Sequence, residues 1–178
     1  MELEQALKER RSTRKYLDKE VDKSLIEKMI GAAILAPSWK NSQTARYHVV
    51  MSKEVLETIK KDCLPKFNSK SVEDAPVLII TSFVKNSSGY EKNGEETNEL
   101  GNGWGFYDLG LHNENLLLKA KDLGLDTLVI GIRDSKKIRE ILLIEENEII
   151  VSVIGLGYSE SQSNMPKRKE TSEITKFY

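Results

Sequence analysis

The chain has 178 residues, 27 Lys+Arg against 28 Asp+Glu, and a formal net charge of -1, enough length for one domain with a real core and no overall pull toward nucleic acid. No apolar run approaches the length needed to cross a bilayer, and the opening MELEQALKERR is too charged for a secretion signal. Cys63 is the only cysteine, so an intrachain disulfide framework is excluded and a cytoplasmic protein without membrane partners is expected.

The first helix is expected over Leu3 to about Arg11, with Leu3, Ala6 and Leu7 on its buried side. It runs into Arg10-Arg11-Ser12-Thr13-Arg14-Lys15-Tyr16, where two arginines four residues apart with hydroxyls between them can converge on a phosphate. A second basic cluster, Lys167-Arg168-Lys169, lies near the end, and the acidic segment Glu91 to Glu99 lies between. Two small basic clusters on a neutral chain suit a small anion better than a polyanion.

Asp22 or Ser24 is expected to cap a second helix running to about Leu35, with Ser24-x-x-Glu27 in capping-box form. Pro37 stops that helix and opens the short polar loop Ser38-Trp39-Lys40-Asn41-Ser42-Gln43. The loop can hold a flat, polar-edged ligand, or it can be a solvated connection. A strand at Tyr47 to Met51 follows, in which His48 reads as a core or edge residue, then a helix from about Glu54 to Asp62 and a loop with Pro65 and Asn68.

Ala75 to Phe83 is a continuous apolar run, the mark of a strand buried on both faces. The polar, Gly/Asn-rich stretch 85–103 reads as a mobile excursion and a candidate lid. Trp104 to Leu123 is the longest helix and is apolar nearly all round, which places it centrally or in a subunit interface. Its His112, Asn113 and Asn115 read as buried hydrogen-bonding groups. A strand at Thr127 to Ile132, a helix from Asp134 to Leu143 and a last strand at Ile149 to Leu156 complete the pattern, and residues 159–178 form a tail without a core of its own. The order of elements predicts an α+β fold with a mixed, mainly antiparallel sheet between helices.

No P-loop, Rossmann fingerprint, nucleophile elbow or zinc-ligand spacing is present. Anion-binding clusters without a side-chain catalyst point to a cofactor that carries the chemistry.

The chain resembles the nitroreductase family of FMN-dependent oxidoreductases over nearly its whole length. The resemblance rests on Arg10 to Tyr16, on Ala36-Pro37-Ser38-x-x-Asn41-Ser42-Gln43, on Tyr107-Asp108-Leu109-Gly110 through Leu123-Gly124-Leu125, on Gly155-Leu156-Gly157-Tyr158, and on Lys167-Arg168-Lys169. It implies a nitroreductase-like α+β fold and an intertwined homodimer with FMN at the subunit interface. By family analogy Arg10, Arg11, Ser12 and Arg14 hold the phosphate, ribityl chain and pyrimidine edge, and Arg168 adds a phosphate contact. Pro37, Ser38, Trp39, Asn41 and Gln43 border the ring from the other subunit. Ile130 and Gly131 face the flavin N5/O4 edge, and Asn68 meets the ring's polar edge. NAD(P)H would be the transient electron donor in a ping-pong cycle, and a nitroaromatic, quinone-like or related small molecule the acceptor.

The chain departs from the family in two places: Gln43 is followed by Thr44-Ala45 instead of Pro-Trp, and Trp39 and Lys40 occupy positions that are usually small. Those departures keep open a flavin-binding protein or a specialised member with one narrow substrate. A nucleic-acid-binding module using Arg10 to Lys15 is disfavoured by the neutral net charge.

Overall fold

The computed structural model describes residues 1–161 and 163–178. Strands β1 (Ala45–Val50), β2 (Val77–Val84), β3 (Asp126–Ile130) and β4 (Glu148–Gly157) form one sheet in the order β1-β2-β4-β3, with every neighbouring pair antiparallel. The expected parallel component shrinks to an isolated bridge between Ser12 and Thr127. Central β2 is buried along Val77 to Phe83, as its unbroken apolar run requires, and β1 is an edge.

Helices cover both faces of the sheet. On one face α2 (Lys23–Ala33) and the long α5 (Gly103–Asp122) bury Ile26, Met29, Leu116 and Ala120 against Val77, Ile79, Ile154 and Leu156. On the other, α3 (Lys53–Asp62) and α6 (Ser135–Leu142) bury Leu56, Ile59 and Ile138 against Leu78, Ile80 and Val153. The alternation along β2 sends Val77 and Ile79 to one layer and Leu78 and Ile80 to the other. Among the described residues no helix is long and apolar enough to cross a membrane.

Helix starts follow their caps. The Asp22 carboxylate accepts from the Ser24 amide at 2.7 Å, and the Asp134 carboxylate accepts from the Lys137 amide at 3.0 Å. Two expectations are corrected. α1 (Leu3–Glu9) buries only Ala6, leaving Leu3 and Leu7 exposed, because no element among the described residues covers that side. Residues Lys66–Ser71 form a helix, α4, where a loop was expected; its sequence KFNSKS has one apolar residue and hence no periodicity to read. The tail carries a short helix, α7 (Thr171–Ile174), held by a reciprocal capping box between Glu170 and Glu173.

Candidate functional site

The basic stretch after α1 is fixed to the sheet by its backbone. The Thr13 amide donates to the Thr127 carbonyl at 2.9 Å, and the buried Tyr16 hydroxyl donates to the Thr13 carbonyl at 3.0 Å and the Gly155 carbonyl at 3.3 Å. Burial, with Asp126 nearby, holds the Tyr16 phenol well above its ordinary range, so it stays a neutral donor. This anchorage leaves the side chains of Ser12 and Arg14 exposed and those of Arg10 and Arg11 half-buried. Arg10 approaches Glu114 at 4.0 Å, and Arg14 has no carboxylate partner among the described residues. The Nε of Arg11 is buried without a hydrogen-bond partner, although its Nη1 donates to the Arg10 carbonyl at 2.7 Å.

β3 carries the same region forward to Ile130 and Gly131. Asn68 on α4 donates through Nδ2 to the Ile132 carbonyl at 3.2 Å, bringing α4 beside Gly131. A Cβ built on Gly131 would meet nothing within 4 Å, so the backbone there faces open space. Arg133 supports the turn, donating to the Gly131 carbonyl at 3.0 Å and to the Ile150 carbonyl. The structure therefore joins Ser12, by way of β3, with Ile130, Gly131 and Asn68. Arginines of which Arg11 and Arg14 have no carboxylate partner among the described residues, on a segment bridged to the strand that leads to an uncovered backbone turn, suit an anionic ligand with a flat hydrogen-bonding edge.

The Pro37 to Gln43 loop forms a second group. It contains a single 3-10 turn, Trp39–Asn41, and Lys40, Asn41 and Gln43 all have positive φ (46°, 57° and 51°), a conformation that disfavours side chains bearing a Cβ. Its support is Asp108 on α5, only 3% exposed. That carboxylate accepts from the Trp39 amide at 3.0 Å, from Ser42 Oγ at 3.5 Å and from Ser88 Oγ at 2.6 Å. The Ser38 hydroxyl accepts from the Gln43 amide at 3.1 Å and closes the loop on itself.

The 85–103 excursion contains no helix or regular strand until α5 begins at Gly103, but it is tied to this loop. Besides Ser88, the Trp39 and Trp104 rings sit 4.4 Å apart and Lys40 Nζ lies 2.8 Å from Glu91. His112, one turn after Asp108, is buried with Nδ1 unpartnered, and burial lowers its pKa against the opposing pull of Asp108. Asn115 donates to the Ala32 carbonyl, whereas Asn113 Oδ1 has no partner. His48, in contrast, contacts Glu148 at 2.8 Å at the β1 edge, as befits a structural residue.

The expected site thus divides. No hydrogen bond or ion pair among the described residues joins the Arg10 to Arg14 group to the Pro37 to Gln43 group. Arg168 belongs to neither: it is exposed in the tail and has no hydrogen-bond partner among the described residues. Sequence reasoning gave no site role to Asp108 or Arg133. Asp108 could have been found as the one acid on the apolar side of α5; Arg133 left no signal beyond following Gly131-Ile132.

Comparison with known proteins gives one consistent answer. Residues 7–158 match the model of the nitroreductase family. Over 164 residues the chain is 35% identical to a Methanothermobacter thermautotrophicus protein named "Putative NADH dehydrogenase/NAD(P)H nitroreductase", covering 89% of this chain and 78% of that one. A nitroreductase family protein from Streptococcus pneumoniae superimposes with a TM-score of 0.87 at 23% identity, over 99% of this chain and 100% of that chain. A "putative nitroreductase in complex with FMN" from Exiguobacterium sibiricum superimposes with a TM-score of 0.82 at 22% identity, over 100% of this chain and 98% of that chain.

Proposed function

The chain belongs to the nitroreductase family, and on that premise we propose that it is an NAD(P)H-dependent FMN oxidoreductase that reduces nitroaromatic, quinone-like or related small acceptors. The observation that carries this reading is the division of the site into a cationic half and an aromatic, hydroxyl-rich half. Each half is built and supported, yet neither alone encloses a flavin. A second copy of the chain would supply the missing half, so the working unit is a homodimer with residues 1–178 as one FMN-binding domain in each subunit. Exposed Leu3, Leu7, Phe106, Ile174 and Phe177 offer the apolar area that such an association needs.

In this reading Arg10, Arg11, Ser12 and Arg14 bind the phosphate and polar edge of FMN, and Arg168 adds a second cation for the phosphate. Ile130 and Gly131 offer backbone groups to the ring, with Asn68 locking the adjacent turn. Pro37, Ser38, Trp39, Asn41 and Gln43 of the second copy wall the ring off from water. When bound, FMN would supply the redox chemistry of a ping-pong cycle between NAD(P)H as donor and the small-molecule acceptor. The protein's part is to orient and to stabilise: fixed cations and N–H groups favour the negative charge of a reduced ring without reorganising. No protein nucleophile is required. The cytoplasm is the proposed compartment, with no nucleic-acid or membrane partner.

The Trp39–Trp104 contact at 4.4 Å favours a narrower variant of the same reading, a specialised member with a restricted acceptor. The deciding experiment is an absorption spectrum of the purified protein with the released cofactor identified by mass. About one FMN per chain is expected. A colourless protein that takes up no added FMN overturns the proposal. Loaded protein that oxidises NAD(P)H with no quinone or nitro acceptor tested leaves only the specialised variant.

A further inference from the structure

Two clefts of about 500 Å³ each lie on either side of α4, a size typical of small-ligand sites. They adjoin at Lys70 and Glu73, a groove in two parts on the two sides of α4. The first is walled by Lys60, Lys61, Lys66 and Lys70 against Glu57 and Glu73. Lys60 is committed to structure: its amine donates to the Glu73 carbonyl at 2.7 Å and lies 3.5 Å from Glu57. Lys61, Lys66 and Lys70 have no ion pair or hydrogen-bond partner among the described residues. The second cleft sets Arg14, Lys15 and Lys70, with Phe67, against Glu73 and Asp74, and Arg14 belongs to the proposed flavin half-site.

From this arrangement we propose that the groove binds the phosphorylated adenosine end of the electron donor and selects NADPH over NADH. The inference rests on the flavin reading above, since Arg14 is what connects the groove to the redox centre. Lys66 and Lys70 are one helical turn apart, on neighbouring positions about 6 Å from each other, a spacing that lets two ammonium groups straddle one phosphate. A 2′-phosphomonoester is close to a dianion at neutral pH and meets both charges; the bare 2′-hydroxyl of NADH meets neither. Phe67, 61% exposed beside these lysines, presents an aromatic face on which an adenine ring can stack. Lys70 is the cation common to both parts, with Lys61 and Lys66 on one side of it and Arg14 on the other.

The test is direct binding of adenosine 2′,5′-bisphosphate, 5′-AMP and inorganic phosphate to the purified FMN-loaded protein by calorimetry. The 2′,5′-bisphosphate is expected to bind at least about tenfold more tightly than 5′-AMP, and the difference should vanish in Lys66→Gln/Lys70→Gln. The same variant should raise KM for NADPH by about tenfold while keeping the wild-type FMN content. Equal affinity for the two nucleotides, or a difference that survives the double substitution, overturns the proposal. Phosphate competing as well as the bisphosphate also overturns it, because the groove would then be a plain anion site. A protein that takes up no FMN yet keeps the nucleotide difference supports the groove's selectivity and overturns the flavin reading, so the two failures are distinguishable.

Discussion

The Asp108 carboxylate receives the backbone amide of Trp39 at 3.0 Å, so a single buried acid on the longest helix sets the position of the loop that would border the flavin. Ser88 reaches the same oxygen, which binds the 85–103 excursion to that loop through one atom. The wall of the proposed site is therefore held by α5 as well as by its own Ser38–Gln43 contact.

Removing the acid should expose that dependence. Asp108→Ala leaves the Trp39 amide and two hydroxyls without their acceptor and is expected to cost about 3 kcal/mol of stability in urea unfolding. Asp108→Asn keeps one acceptor oxygen and should cost about half as much. Both variants should be cut more readily by protease within residues 85–103, which limited proteolysis would show.

The cationic half makes a different prediction. The one carboxylate near Arg10 among the described residues is Glu114, at 4.0 Å and half exposed, a contact worth little to folding. Arg10→Ala should leave the melting temperature within about 1 °C of wild type and weaken FMN binding about tenfold in a fluorescence titration, by loss of a charge-assisted phosphate contact. Arg168→Ala should behave similarly. Unchanged affinity in either variant removes that residue from the site.

Gly155 tests a packing explanation for part of the family resemblance. A Cβ there would lie 2.6 Å from Val72 Cγ1 and 3.2 Å from the Tyr16 hydroxyl, and one on Gly157 would lie 2.8 Å from Pro76 Cδ. The pair of glycines thus lets Tyr16 close over β4 and hold the basic stretch in place. Gly155→Ala is expected to destabilise the fold by about 2 kcal/mol in chemical denaturation. It should also weaken FMN binding, although no ligand atom is assigned to Gly155.

His112 gives the pH dependence. Burial lowers its pKa below the ordinary value of 6.5, so the unfolded chain takes up its proton first. Its contribution is fully present above about pH 6.5 and is lost as pH falls through the lower folded value, with a slope of at most about 1.4 kcal/mol per pH unit. His112→Gln should flatten the stability profile below about pH 6.5 relative to wild type, as measured by urea midpoints at each pH. Parallel profiles would show that the buried ring does not govern acid sensitivity.

Most of the architecture could be read from residue pattern. β2 announced itself by seven consecutive buried positions, and α2 by Ile26, Met29 and Ala33 between an Asp22 cap and Pro37. α4 could not be read, because a helix of six residues with Phe67 as its only large apolar group owes its existence to neighbours. Asp108 left a partial signal, an acid on the apolar side of α5, but its role did not show, because its three donors come from segments 20 to 69 residues away. The resemblance supplied the list of site residues, whereas the structure shows how they divide between two regions of one chain. Leu3 and Leu7 illustrate the limit most plainly, since helical periodicity identified an apolar face but not what should cover it.

The left-handed residues Lys40, Asn41 and Gln43 have a bearing on the order of events during heating. Each is held in a conformation about 1 kcal/mol or more above its alternatives, and the loop's ties run through Asp108 and the Trp39–Trp104 contact, outside the two hydrophobic layers. Warming should relax this loop first, by a local opening well below the temperature at which the sheet comes apart. Catalytic half-life and cofactor retention would then decay together while the circular-dichroism signal of the helices is still intact.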